Sequence, residues 1–163
     1  MSACRPSRAE GDPAHFDHYS AYYLTAYLGA VAGGLSRRGI VIHTAELTPG
    51  PRFLGCGITF DPPRKPADQD PSAWVARHAS WDECHGWCCQ LYHVATDQSV
   101  VRRYLGEPLV PAPELVVDFI AELSRVRALG ALGPARPAAR CHRSPQELIN
   151  DLIQFTPTST WIG

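Results

Sequence analysis

Between Ile40 and Leu105 apolar and polar residues alternate in short runs separated by turn-forming residues, while the flanks repeat apolar side chains every three or four positions. Neighbouring side chains on a strand point to opposite faces, whereas residues three and four apart share one face of a helix. A chain patterned in this way builds one pleated layer and roofs it with amphipathic helices. The runs are Ile40 to Leu47, Phe53 to Phe60, Trp74 to Trp81, Trp87 to Ala95 and Ser99 to Leu105. Thr48-Pro49-Gly50-Pro51, the proline-rich residues 61–72, Asp82 to Gly86, and Asp97-Gln98 separate them. Mostly short polar connections favour antiparallel neighbours, so the expectation is an α+β domain with a meander of about five strands. Within the third run, Trp74, Ala76 and His78 should share one face, with Val75, Arg77 and Ala79 on the other.

The first flank carries Phe16, Tyr23, Leu24, Tyr27, Leu28, Val31 and Leu35 at helical spacing, and Gly39 supplies a stop. Gly33 and Gly34 are expected to weaken the last turn of this helix. A tyrosine-rich stripe of this kind is ordinarily core packing rather than a ligand wall. Beyond the strands, Pro111, Pro113 and Glu114 open a second helix whose stripe, Leu115, Val116, Phe119, Ile120, Leu123 and Val126, runs towards Gly130. A third helix is expected after it, with Ser144 as N-cap, Pro145 in the first turn and Glu147 completing a capping box before Leu148, Ile149, Leu152, Ile153 and Phe155. The expected organisation is a disordered tail over 1–14, a single domain over 15–130, an Arg, Pro and Ala-rich linker over 131–143, and a C-terminal helix and tail over 144–163 packed on the same domain.

A formal net charge of −1 over 163 residues gives no overall field towards nucleic acid or an anionic membrane. Residues Met1 to Asp12 are polar, and no segment approaches ~18 uninterrupted apolar residues, so a cytoplasmic location without a membrane span is expected. The six cysteines then read as reduced thiols rather than a disulfide framework.

Four groups of residues invite a chemical reading. Cys84, His85, Cys88, Cys89 and His93 are the densest set of metal-capable side chains, but strand alternation sends Cys88 and Cys89 to opposite faces and no Cys-x-x-Cys pair is present. No metal and no cofactor are expected. Glu83, His85 and Cys84 at the hairpin tip are the catalytic candidates, as acid, base or thiol, although solvation alone would make such a tip polar. Trp81 and Trp87 bracket the same turn and can pair across it. If their face is not roofed, they would form with Glu83 and Arg102 a floor for a ligand or partner. Finally, Arg125, Arg127, Arg136, Arg140 and Arg143 form a local basic patch for an anion or nucleic-acid backbone, without helix-turn-helix or zinc-finger spacing. Phosphate-loop, dinucleotide, nucleophile-elbow and metalloprotease patterns are absent.

The hairpin Trp81-Asp82-Glu83-Cys84-His85-Gly86-Trp87, the polar strand after it, Tyr104-Leu105-Gly106 and the proline-rich helix start resemble an uncharacterised family of short actinobacterial proteins, the domain of unknown function 6292. The resemblance spans about Tyr19 to Leu129 and implies no established chemistry. The order helix, five strands, helix is also similar to YbjN-like and secretion-chaperone-like domains, which implies protein binding at the level of fold analogy alone. The leading expectation is a non-catalytic binding module for a protein partner or small molecule, with a homodimer as one form it takes. The alternatives are a small enzyme of specialised metabolism acting near residues 81–87, and nucleic-acid binding through residues 125–143.

Overall fold

The computed structural model describes residues 18–49, 54–61, 71–96, 100–124 and 145–157. The expected tail over 1–14 and linker over 131–143 lie outside them. Helix α1 (His18–Arg37) is followed by five strands, β1 (Val41–Pro49), β2 (Leu54–Asp61), β3 (Trp74–Asp82), β4 (Gly86–His93) and β5 (Val100–Tyr104). Helices α2 (Pro113–Leu123) and α3 (Pro145–Ile153) complete the fold. The strands lie in sequence order in one antiparallel sheet, the meander that the alternation predicts.

One face of the sheet is core. Leu47, Cys56, Trp81 and Trp87 stand opposite one another in one row, and Ala45, Ile58, Ala79 and Cys89 in the next. Helix α1 covers β1 and β2, α2 covers β3 and β4, and α3 packs on α1. The α1 stripe of Leu24, Tyr27, Leu28, Val31 and Leu35 is buried against this face together with Val116, Val117 and Ile120 of α2 and Leu148 and Leu152 of α3.

The structure corrects two local expectations. Helix α1 does not loosen at Gly33 and Gly34 but continues to Arg37, ending where Ile40 N–H donates to Leu35 O at 3.1 Å. Gly34 sits where α2 crosses: a Cβ there would stand 2.5 Å from Val117 Cγ2, so the bare backbone is what lets the helices approach. In β3, the register against β4 shifts between Ala76 and His78, which makes Arg77 an extra residue and reverses the facing of the residues after it. Trp74 and Ala76 therefore share the core face with Ala79 and Trp81, while His78 joins Val75 and Ser80 on the other side.

Helix α2 begins on Pro113 with Glu114 in its first turn, where an acid suits the positive end of the helix. Its described end is Leu123, capped by Ser124, whose hydroxyl donates to Ile120 O at 2.8 Å. The expected continuation through Val126 to Gly130 falls outside the described residues.

Tyr27 ties the layers together. Its hydroxyl donates to Pro111 O at 2.6 Å and accepts from Trp87 Nε1 at 3.1 Å, and its ring meets Phe155 with centroids 5.7 Å apart. Burial raises its pKa well above the ordinary tyrosine value, so the phenol keeps the proton it donates. Tyr27→Phe leaves a buried carbonyl and a buried indole N–H without this partner. Urea unfolding is expected to show a loss of about 1–3 kcal/mol.

Candidate functional site on the second sheet face

The β3–β4 hairpin is shaped by one carboxylate. Asp82 Oδ1 accepts the backbone N–H groups of Cys84 and His85, both at 2.8 Å, and lies 3.0 Å from His85 Nδ1. An aspartate at this place mimics a backbone acceptor two and three residues on, which is why this sequence turns here. The three catalytic candidates are thereby sent different ways. Glu83 exchanges contacts with Leu54 at the start of β2, its N–H donating to Leu54 O at 3.3 Å and its Oε1 accepting from Leu54 N–H at 3.4 Å. Cys84 is 2% exposed. His85 turns towards Asp82 and the ring of Tyr104, 6.4 Å away between centroids.

Trp81 and Trp87 do pair directly across the hairpin, but on the roofed face, where they are 2% and 1% exposed. Trp81 Nε1 donates to Leu109 O at 2.6 Å and Trp87 Nε1 to Tyr27. They are core side chains that hold the segment before α2 and helix α1 to the sheet. Arg102 lies on the opposite face and is exposed, so the ligand floor expected from Trp81, Trp87, Glu83 and Arg102 does not form.

The second face carries its own set. Gly57, Ser80, Cys88 and Tyr104 form one row across β2 to β5, and Thr59, His78, Gln90 and Arg102 form the next. The hydroxyls of Thr44 and Thr59 lie 2.6 Å apart beside them. Among the described residues no helix packs on this face. With the Asp82–His85 pair at its hairpin end, it offers donors and acceptors from four strands. Sequence reasoning selects Arg102 and His85 from it, singles out Cys88 only as a metal-capable side chain, and misses the rest. Alternation in β4 and β5 is a usable signal for Cys88, Gln90 and Tyr104, whereas the bulge conceals His78.

The thiols are poorly suited to nucleophilic work. Burial pushes the Cys56 thiol up to about 12 and raises Cys89 further. Cys88 is raised by burial too, against the opposing pull of a hydrogen bond from Tyr104 and the charge of Arg102. A raised pKa keeps sulfur as the unreactive thiol.

His78 lies over Gly57, where a Cβ would stand 3.2 Å from its Nε2, and its Nδ1 is buried with no partner among the described residues. Burial lowers its pKa from 6.5. Well above 6.5 the ring is neutral folded or unfolded, and pH has no effect through this group. As pH falls below that value the unfolded chain takes up the proton first, so stability declines until the folded ring also protonates. His78→Gln is expected to flatten part of this acid-side decline in unfolding free energy measured between about pH 7 and 5.

No group of three or more metal-capable side chains comes together among the described residues, and no helix is long and apolar enough to cross a membrane. Arg125, Arg127, Arg136, Arg140 and Arg143 lie outside the described residues. A shallow cavity of about 240 Å³ opens between α1 and α2, and none of the catalytic candidates lines it.

No curated protein and no solved structure matches this chain. The matching family segment is shorter than the Tyr19 to Leu129 span of the resemblance, starting at residue 63, yet it holds β3, β4 and β5 and with them most of the polar face. Residues 63–122 match the model of a family of unknown function, DUF6292.

Proposed function

We propose that this domain is a non-catalytic binding module that receives a protein partner or small molecule on the second sheet face, in a cytoplasmic setting. The observation that supports this reading is the set Thr59, His78, Ser80, Gln90 and Arg102, hydrogen-bonding side chains at least partly exposed on a face on which no described helix packs, with Cys88 and Tyr104 buried among them. A sheet face offers a broad, nearly flat array of donors and acceptors, which suits recognition more than bond making. Bond making needs groups converging in a recess that excludes water. Glu83, Cys84 and His85 do not converge, and the α1–α2 cavity lies away from them.

Native mass spectrometry of the protein purified from the cells that make it provides the test. Wild type should carry an added mass whose occupancy falls at least roughly tenfold in Arg102→Ala and in Tyr104→Phe. An added mass indifferent to both substitutions, or hydrolysis of a chromogenic ester that disappears in His85→Ala, would overturn the reading, the second outcome in favour of an enzyme built on the Asp82–His85 pair.

A further inference from the structure

The cavity between α1 and α2 has walls of opposite charge. Arg37 and Arg38 from the end of α1 and Glu114 from the first turn of α2 line it, above a floor of Ala30, Gly34 and Val117. Arg38 is held by Asp118. Neither Arg37 nor Glu114 forms an ion pair among the described residues, although they border the same space. A guanidinium and a carboxylate that share a recess without touching leave between them a place where a molecule bearing both complementary charges meets each wall with its opposite. A volume of about 240 Å³ corresponds to roughly eight waters at ~30 Å³ each, enough for a small solute but short of the space that a nucleotide or drug-sized ligand takes. The floor is aliphatic because Gly34 and Ala30 keep the helices close and Val117 fills the crossing.

From this arrangement we infer that the cavity binds a small aliphatic zwitterion of the amino-acid class. Its carboxylate lies against Arg37, its ammonium group against Glu114 and its side chain over Val117. The guanidinium fork donates paired N–H groups to a carboxylate, a geometry that a lysine would not supply. The site is independent of the second sheet face, which lies on the other side of the sheet.

Titration of ¹⁵N-labelled full-length protein with L-valine tests this, with isovalerate and isobutylamine as the same skeleton stripped of the ammonium and of the carboxylate. Valine should give saturable shifts at the amides of Gly34, Glu114 and Val117, and each singly charged analogue should bind at least roughly tenfold more weakly. Arg37→Gln and Glu114→Gln should each weaken valine about tenfold while lowering the melting temperature by no more than about 4 °C, since both side chains sit at the cavity rim and act on stability only through the helix ends. Shifts that grow linearly without saturation, or isovalerate binding as tightly as valine, would overturn the proposal. Arg102→Ala, which impairs the second face, should leave valine binding intact, so that failure at one site is distinguishable from failure at the other.

Discussion

Trp81→Ala is expected to lower the unfolding free energy by roughly 3–5 kcal/mol, a large share of the ~5–15 kcal/mol that holds a domain of this size. The indole is 2% exposed, stands between Cys56 on β2 and Trp87 on β4, and carries the hydrogen bond to Leu109 O. Its removal opens a cavity beneath the helices and strips a partner from the segment that leads into α2. Trp81→Phe separates the two effects, because it keeps most of the volume and loses the donor; about 1–3 kcal/mol of the change should remain. Urea denaturation followed by far-ultraviolet circular dichroism reads both. A cost below ~1 kcal/mol for Trp81→Ala would mean that this face is not roofed, since an exposed site rarely shows more.

Gly34→Leu is expected to destabilise the crossing of α1 and α2. Leucine gains about 1 kcal/mol of helix propensity over glycine. Against that gain, a Cβ alone already meets Val117 Cγ2 at 2.5 Å, and the stiff, branched valine cannot swing aside. Helix α2 must then move off α1, and overpacking of this kind costs about 1–3 kcal/mol or occasionally more. Thermal unfolding should show a lowered midpoint. Combining the substitution with Val117→Ala should recover part of the loss as a coupling of about 0.5–3 kcal/mol, because the two residues compete for one space.

Much of the fold is written in local spacing. The α1 stripe from Leu24 to Leu35, the five alternating runs and the Pro113–Glu114 helix start are short-range patterns, and each becomes the element it suggests. What spacing cannot encode is which face of a sheet is covered. Trp81 and Trp87 on one side and Tyr92 and Tyr104 on the other make both faces aromatic, and only the docking of α1 and α2, distant in the chain, decides between them. The indoles therefore resemble an accessible floor in the sequence and are core in the fold. The bulge at Arg77 has no marker such as glycine, so strict alternation puts His78 on the wrong side. Gly34 looks like a local weakness because its neighbour Val117 is far away in sequence, and the cavity bounded by Arg37 and Glu114 is invisible for the same reason.

Helix α3 lies against α1, with Phe155 on Tyr27 and Leu148 and Leu152 in the common core, so the first and last described elements seal a single seam. The meander can zip together strand by strand from neighbours in the chain, but that seam closes only when the segments before and after the sheet have both arrived. During synthesis the face of α1 that carries Tyr27 would stay uncovered by Phe155 until that residue had left the ribosome, and a chain cut short of α3 would present that face to chaperones and proteases.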